Sequence, residues 1–529
     1  YVLEWFGKVE GKKFRVGKAA YDLVVLSHDV ANLRRQTVPL LESWLKEGGT
    51  VLCMAEVPAY VDGRESDALQ KLREQFGKQW VRIFDEEGLV AAIRERLPAR
   101  IQISAPVGFL ERWLPSGDRV LFFANSTNAA ISTKAVIEAA GLEEWDTLTG
   151  LTRPYPFTKS ARGIEFALQL PSAGSLLLLA RKDPAPAAAP AKPAWRSLQA
   201  GAWTVSANEP NVLVLDYCDL EIGGETLADI NTWRANWTIW QRHGFERPAW
   251  DNAVQFRRNV LDRKFGEGTG FRAVFRFAVS GPPPKDLRLA VESPQLYRIT
   301  VNGRPVDFAK SERWLDPHLR SAPLGEVKTG LNEIVLEAAP FDPRMELENI
   351  YLLGAFTVAP AEKGFQITAA VKPLAPGSWA KQGRPFYGAS VSYAAKVRIP
   401  GGHRRLRVSL KDLPGALAEV LVNGQALGWI GWPPYETEVP VQAGNAAVEV
   451  RVYGTPRNVF GPFHHPDKLR FRAWPNAWAV FPERQPPGSA YDVLDYGLSA
   501  GYSPLDIALL QELATDLQSW EPVSGDEGP

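Results

Sequence analysis

The chain has 529 residues, with 60 Lys plus Arg against 60 Asp plus Glu, so its formal net charge is zero. A neutral chain has no global field that attracts nucleic acid or an anionic membrane surface, and neither is an expected partner. No apolar run approaches the roughly 18–20 residues of a membrane-spanning helix. Two cysteines, Cys53 and Cys218, are too few for a disulfide framework or a zinc site, and we expect both to be buried free thiols.

The composition and length indicate several domains that are mainly β. Single cores rarely grow past roughly 250–300 residues, so this chain should contain more than one. The 44 Gly and 42 Pro predict many turns and therefore many short strands.

Residues 1–100 alternate between strand and helix patterns. The apolar runs Tyr21–Leu26, Thr50–Met54 and Trp80–Phe84 are typical of strands buried on both faces of a parallel sheet. Three such strands make only a truncated α/β segment of a flavodoxin-like or amidotransferase-like type. Because the sequence also opens at Tyr1 without a signal peptide, we expect this point to lie inside a longer protein.

The middle of the chain changes to a β pattern and then to a spacer. Strands at Val120–Ala124 and Leu176–Ala180, with turn-rich sequence between them, predict a small β-sandwich over residues 101–182. Residues 183–197 are rich in Ala and Pro and have no apolar periodicity at their start. They predict a semi-rigid linker between domains.

Residues 198–360 and 361–485 repeat one strand pattern, which predicts two jelly-roll β-sandwich domains. Both copies place Asn-Gly between alternating apolar runs, at Asn302 and Asn423, as a type I′ hairpin requires. Residues 486–529 are expected to form an ordered strap followed by a disordered tail. The repeated segments are Phe271–Val279 with Tyr393–Ile399, Leu296–Val306 with Leu417–Leu427, and Gly330–Glu337 with Gly444–Arg451.

The tryptophan-rich stretch Asn211–Val260 contains most of the candidate binding residues. Three of its tryptophans recur at i, i+4 and i+7, which places them on one face of a helix. That face fits either a platform for a sugar ring or an amphipathic helix packed on its own sandwich or on another domain. The candidate carbohydrate-binding residues are Trp233, Trp237, Trp240, Glu246, Arg247, Trp250, Asp251, Trp432 and Tyr435.

Motifs for metal, phosphate or nucleophilic chemistry are missing from the sequence, which has no HExxH, GxSxG or phosphate-binding Gly-rich loop. His464 and His465 are adjacent, and neighbouring side chains of an extended chain point apart, so they make a poor metal site. We expect no catalytic residue, no metal ligand and no cofactor in this chain.

Six segments resemble the C-terminal half of large bacterial glycosidases of the α-L-rhamnosidase type, glycoside hydrolase family 106. The repeated sandwiches are similar to the sugar-binding, galactose-binding-like jelly rolls of family 2 glycosidases. The six segments are LVLDYC (Leu213–Cys218), ERPAWDNAVQF (Glu246–Phe256), LYRITVNG (Leu296–Gly303), QGRPFYGASVSY (Gln382–Tyr393), GTPRNVFGPFHH (Gly454–His465) and VLDYGL (Val493–Leu498).

The resemblance implies a non-catalytic role. In that family the catalytic carboxylates and any active-site calcium lie in an N-terminal barrel, which no stretch of this chain can supply. The implied partners are that barrel and carbohydrate, and the implied location is periplasmic or extracellular. Structural calcium in the sandwiches stays open.

Three functions are therefore compatible with the sequence. The first is an accessory region of a polysaccharide-degrading glycosidase that braces the barrel and binds carbohydrate. The second is a stand-alone carbohydrate-binding or adhesion module, and the third is a purely structural assembly protein.

Overall fold

The computed structural model describes residues 2–54, 56–97, 99–148, 150–184, 195–249, 254–368, 373–461, 464, 481–498 and 505–509. The predicted fold class is confirmed, because the described chain is mainly β and is built of several sheets. Cys53 and Cys218 are both buried and are not joined in a disulfide, as predicted.

The N-terminal unit contains the expected parallel sheet of three strands. Its helices are α1 (Val2–Phe6), α2 (Thr37–Lys46), α3 (Ala68–Gln75) and α4 (Glu86–Arg96). Its strands are β1 (Gly7–Glu10), β2 (Lys13–Val16), β3 (Ala19–Tyr21), β4 (Val24–Leu26), β5 (Asn32–Leu33), β6 (Val51–Cys53), β7 (Tyr60–Val61), β8 (Arg64–Glu65) and β9 (Trp80–Arg82). The parallel order is β4-β6-β9, and β1-β2-β3 and β5-β7-β8 form two further small sheets. The fully buried Trp44 of α2 anchors this unit, and its indole N–H donates to the Thr50 carbonyl at 3.0 Å.

Two facing sheets form the small sandwich at residues 101–181. Its strands are β10 (Ile101–Ile103), β11 (Gly108–Trp113), β12 (Arg119–Ala124), β13 (Ile131–Ile137), β14 (Gly141–Trp145), β15 (Thr152–Pro154), β16 (Thr158–Ser160), β17 (Gly163–Leu170) and β18 (Ser175–Arg181). The sheet orders are β10-β13-β17-β16 and β11-β12-β18-β14-β15. Strands β12 and β17 alternate buried and more accessible residues, so Phe123 and Phe166 meet in the core with ring centroids 6.1 Å apart.

Two short strands, β19 (Trp195–Ser197) and β20 (Thr204–Ala207), precede the first large sandwich. The sandwich itself consists of β21 (Asn211–Leu215), β22 (Tyr217–Ile222), β23 (Glu225–Asn231), β24 (Phe271–Ser280), β25 (Arg288–Glu292), β26 (Arg298–Val301), β27 (Arg304–Pro305), β28 (Glu312–Trp314), β29 (Asp316–Pro323), β30 (Gly330–Ala338), β31 (Ile350–Gly354), β32 (Thr357–Pro360) and β33 (Phe365–Thr368). One sheet has the order β21-β31-β25-β29-β28. The other has the order β23-β22-β24-β30-β26-β27, and β33 joins it parallel to β24. Helices α5 (Thr232–Arg242) and α6 (Arg257–Leu261) lie between β23 and β24 in the chain.

The second large sandwich contains β34 (Ser390–Ile399), β35 (His403–Ser409), β36 (Leu417–Val422), β37 (Gln425–Ile430), β38 (Glu436–Pro440), β39 (Gly444–Tyr453) and β40 (Leu505–Leu509), with the short helix α7 (Arg457–Phe460) after β39. Its sheets have the orders β20-β34-β39-β36-β37 and β19-β40-β35-β38.

The internal repeat is confirmed at the level of sheet order, because β24-β30-β26-β27 in the first large sandwich corresponds to β34-β39-β36-β37 in the second. The hairpin turns also match, with positive φ at Asn302 (48°) and Asn423 (51°) and at the glycine after each. Each asparagine Oδ1 accepts a backbone N–H from the neighbouring long strand, from Glu333 at 3.1 Å and from Ala447 at 2.9 Å.

The strand pairing departs from the predicted boundaries of the two large sandwiches at two places. The expected linker of 183–197 and the start at 198 contain β19 and β20, which pair with strands of the second sandwich. At the other boundary β33 lies beyond residue 360 yet belongs to the first sandwich. These pairings join distant parts of the chain, so the local apolar pattern does not reveal them. Residues 185–194 of the linker and the expected disordered tail at 521–529 lie outside the described residues.

The strap at 491–498 runs along both large sandwiches. Tyr491 is buried in the first core, whereas Tyr496 and Leu498 are buried in the second. Helix α7 holds the strap, because the Arg457 guanidinium donates to Asp492 at 2.8 Å and the Asn458 amide donates to the Leu494 carbonyl at 2.7 Å.

Candidate functional site

A cavity of about 300 Å³ lies at the N-terminus of α5, on the first large sandwich. Trp233 stands at this end of the helix, and carboxylates and amides from several loops complete the wall. The cavity is lined by Asp216, Asn231, Thr232, Trp233, Glu292, Leu319, Glu346, Glu348, Asn349, Tyr351, Phe460, Gly461 and Phe481.

Local capping determines where α5 begins and therefore where Trp233 lies. The Asn231 side chain accepts the Trp233 backbone N–H at 3.1 Å, which is an N-cap. Its amide nitrogen donates to the Asp216 carbonyl at 3.0 Å, and the Thr232 backbone N–H donates to the same oxygen at 3.0 Å. The helix start is thus fixed to the end of the buried strand β21, and Trp233 follows directly in the first turn.

A second set of hydrogen bonds connects the helix to the opposite wall. The Thr232 hydroxyl donates to Asn349 Oδ1 at 2.5 Å, and Asn349 Nδ2 donates to the Gly461 carbonyl at 2.5 Å. Thr232 and Asn349 are both buried. The wall is therefore held in place before any ligand binds.

Aromatic rings form the apolar part of the wall. The Trp233 ring lies 5.9 Å from the Phe481 ring and 5.5 Å from the Trp237 ring behind it. Arg234 fixes Phe481 by donating to its carbonyl at 2.8 Å. Phe460 is 50% exposed, so it is still accessible to a ligand.

Three glutamates supply the polar part. Burial raises the pKa of Glu348 to about 8, and the nearby charges of Glu346 and Glu292 and a hydrogen bond with Glu346 act in the same direction. Burial also raises the pKa of Glu292, with a further contribution from Asp316. No Lys or Arg occurs among the lining residues, so the described wall offers hydrogen-bond acceptors and carboxyl protons but no cation.

Behind the cavity, Asp216 forms a buried cluster with His464 and Tyr491. Asp216 Oδ1 accepts the Tyr491 hydroxyl at 2.9 Å, and Oδ2 lies 3.0 Å from His464 Nε2. Burial, followed by the Asp216 charge, raises the pKa of Tyr491 well above its ordinary value. The side chains of Asp216 and His464 are only 2% and 1% exposed, so the surroundings of His464 are those of a buried structural residue. His465 lies outside the described residues.

The three tryptophans of α5 do not share one exposed face. Trp240 is 1% exposed and packs in the core against Phe245 and Phe341, at ring-centroid distances of 4.9 and 5.5 Å. Trp233 lines the cavity, and Trp237 lies partly buried beside it. Packing on the helix's own sandwich, the alternative considered above, therefore accounts for Trp240, while Trp233 faces the cavity.

The other predicted site residues that the structure describes do not line this cavity. Glu246 and Arg247 are exposed and form an ion pair with one another at 3.3 Å. Trp250 and Asp251 lie outside the described residues. In the second sandwich Trp432 is 54% exposed, and Tyr435 packs partly buried against that core.

Several lining residues were not predicted. Glu292 ends β25, whereas Glu346 and Glu348 lie in the loop before β31, and only folding brings the two segments together. A usable signal was present at Asp216, an acid directly after the wholly buried strand β21. A buried acid in such a position requires hydrogen-bond partners.

Among the described residues no group of three or more His, Cys, Asp or Glu side chains could hold a metal ion. Within the same residues, no helix has both the length and the apolar character needed to cross a membrane.

No protein-family model and no curated protein matches this chain. Solved structures similar to it include a rhamnosidase from Novosphingobium sp. PP1Y, at 14% identity and a TM-score of 0.44, covering 96% of this chain and 35% of that one. They also include a glycosyl hydrolase family 2 member from Bacteroides cellulosilyticus, at 10% identity and a TM-score of 0.18, covering 46% of this chain and 32% of that one. An exo-chitosanase from Amycolatopsis orientalis has 11% identity and a TM-score of 0.18, covering 46% of this chain and 29% of that one. The chain thus spans about a third of the length of these glycoside hydrolases, and the likeness is too weak to assign an activity.

Proposed function

We propose that this chain is a non-catalytic, carbohydrate-binding accessory region and that the cavity beside α5 is its sugar-binding site. The observation that carries the proposal is the position of Trp233 at the wall of a preformed cavity that also contains carboxylates and amides. A pyranose presents an apolar C–H face to an aromatic ring and hydroxyls to polar groups. A cavity of about 300 Å³ suits a single sugar residue.

The polar groups of the cavity wall indicate which class of sugar the cavity can bind. Glu292 and Glu346 can accept hydrogen bonds from sugar hydroxyls, and Asn349 stands at the same wall. The described lining contains no cation to balance an acidic sugar. We therefore propose a neutral sugar or an amino sugar as the ligand.

The wider role that we propose is that of a glycosidase accessory region of the α-L-rhamnosidase type, periplasmic or extracellular, that braces a catalytic barrel of the same parent protein. The six sequence segments that resemble the C-terminal half of family 106 glycosidases support this role. The isolated chain should then hydrolyse no aryl glycoside. A stand-alone binding module is the alternative, and the coding sequence upstream of Tyr1 distinguishes the two.

The binding site can be tested by titrating the chain with neutral monosaccharides, uronic acids and amino sugars while following tryptophan fluorescence and heat. Trp233→Ala should weaken binding about 5- to 30-fold, as expected for an aromatic contact of about 1–2 kcal/mol. Trp432→Ala is the matched control, because Trp432 is exposed on the other sandwich and should leave the affinity unchanged.

Two results would contradict the proposal. One is the absence of binding by any sugar to the unaltered chain. The other is an equal loss of affinity in the Trp233 and Trp432 variants, which would place the ligand elsewhere or indicate a general loss of folding.

A further inference from the structure

A second and larger cavity, of about 960 Å³, lies on the small sandwich where the β2–β3 hairpin approaches it. It is independent of the cavity beside α5 and has the opposite electrostatic character. The charged and aromatic residues of its lining are Arg100, Trp113, Arg119, Glu138, Arg181 and Lys182.

Two arginines in this cleft share a single carboxylate. Arg119 donates to Glu111 Oε1 at 2.9 Å, and Arg100 lies 3.3 Å from Oε2 of the same residue. Arg119 is only 6% exposed, and it also donates to the Glu138 carbonyl. The pair therefore leaves one positive charge uncompensated, and one of the two guanidiniums is fixed at the back of the cleft.

The remaining cations of the cleft, Arg181 and Lys182, lie beside carboxylates that do not line it. Arg181 is neutralised by Glu143, to which its Nε and Nη2 donate at 3.0 Å. Lys182 lies next to Asp118, whose carboxylate accepts the Lys182 backbone N–H at 2.9 Å and interacts electrostatically with Arg181 and Lys182. Glu138 is the one carboxylate on the described lining, so a ligand in the cleft would meet four cationic side chains and one carboxylate.

An exposed aromatic ring lies beside these cations. Trp113 is 57% exposed, and the guanidinium carbons of Arg100 and Arg119 lie 5.7 and 5.3 Å from its ring centroid. An open indole can stack on the C–H face of a sugar, and an adjacent guanidinium can bind a planar carboxylate.

We propose that this cleft binds an acidic saccharide, with Trp113 against a sugar ring and the carboxylate of a uronic acid residue between Arg100 and Lys182. A cleft of this size accommodates more than one sugar residue. The chain would then contact an acidic polysaccharide through the small sandwich, apart from any neutral sugar held beside α5.

The test is calorimetric titration with a tri-uronic acid, its methyl ester and inorganic phosphate, at about 0.05 and 0.5 M NaCl. Lys182→Gln should weaken binding of the acid about three- to fivefold, and Glu138→Gln should strengthen it by a similar factor, since each removes one charge from the site. The control is Lys159→Gln, which makes the same charge change on the exposed strand β16 of the other sheet and should have no effect.

Lys182→Gln and Glu138→Gln change the charge of the cleft in opposite directions. An anion-binding site should respond to them with opposite changes in affinity, whereas a merely structural cluster should not. Trp113→Ala should also weaken binding, while Trp233→Ala should not, so failure at one site is distinguishable from failure at the other. Equal binding of the ester and the acid, an unchanged affinity in the Glu138 variant, or a Lys159 effect as large as the Lys182 effect would overturn the proposal. Competition by phosphate as effective as the acid itself would overturn the saccharide assignment.

Discussion

Replacing Glu348 with Gln should stabilise the protein at alkaline pH and change its stability little at acid pH. Burial and the charges of Glu346 and Glu292 raise the pKa of Glu348 from 4.5 to about 8 in the folded protein. The folded chain therefore holds this proton more tightly than the unfolded chain does. Its contribution to the free energy of unfolding is fully present below about pH 4.5 and is lost as the pH rises through about 8.

The shift in the pKa of Glu348 sets an upper limit on the gain in stability that Gln can give. A carboxyl group raised from 4.5 to about 8 resists ionisation by at most about 5 kcal/mol. Glu348 lines an open cavity, and solvent access reduces this figure, so we expect a gain of about 1–2 kcal/mol from Gln at about pH 8.5. The Gln amide can still donate a hydrogen bond to Glu346, as the protonated carboxyl does.

Differential scanning calorimetry at about pH 4.5 and pH 8.5 measures this difference and resolves the transitions of separate domains. Glu246→Gln is the control, because Glu246 is exposed and away from the cavity, and it should show no pH-dependent gain. A Glu348 variant with the same change at both pH values, or with reduced stability at the higher pH, would refute the reasoning.

Three further predictions concern core packing, a hairpin turn and a buried hydrogen bond, and calorimetry and chemical denaturation can test them. Trp240→Ala should lower the free energy of unfolding by about 3–5 kcal/mol, since it empties a core position, and a loss below about 1 kcal/mol would contradict the assigned burial. Asn423→Ala should cost about 1–2 kcal/mol through its positive φ and the lost bond from the Ala447 N–H. Asn423→Gly should cost less than Asn423→Ala, and equal losses would argue against backbone strain. Tyr491→Phe should cost about 0.5–1.5 kcal/mol, and it should show non-additivity with Asp216→Asn because the two side chains share a hydrogen bond.

The sequence predicts local structure well wherever the signal is a short-range pattern. The Asn-Gly turns at Asn302 and Asn423 are encoded by two residues that tolerate positive φ, and both form as expected. The three parallel strands of the N-terminal unit follow from continuous apolar runs. The presence of helix α5 follows from its periodic tryptophans, whereas the Asn231 cap that sets its start is seen only in the structure.

Long-range pairing is what the sequence does not reveal. Strand β40 at Leu505–Leu509 lies between β19 and β35, and nothing in five residues indicates such distant partners. The same limit applies to the cavity. Periodicity places Trp233 and Trp240 on similar faces of a helix, but only the fold decides that Trp240 enters the core and Trp233 the cavity wall.

The interleaving of the two large sandwiches has a consequence for the order in which they assemble. Strands β19 and β20 precede the first sandwich, and β34 to β40 follow it, so the first sandwich is an insertion within the second. During synthesis all strands of the first sandwich are available once β33 has left the ribosome. The second sandwich cannot be completed until β40 has also been synthesised. The short connection between β20 and β21 is itself fixed, because Asn208 and Glu209 hydrogen-bond to Ser390 and Tyr387.

A nascent chain that has not yet delivered β40 presents two unpaired strand edges, on β19 and on β35. Open edges of this kind favour pairing between different chains. Strand β40, the last strand of the described residues, covers both edges, and we expect its pairing to protect the growing protein from aggregation.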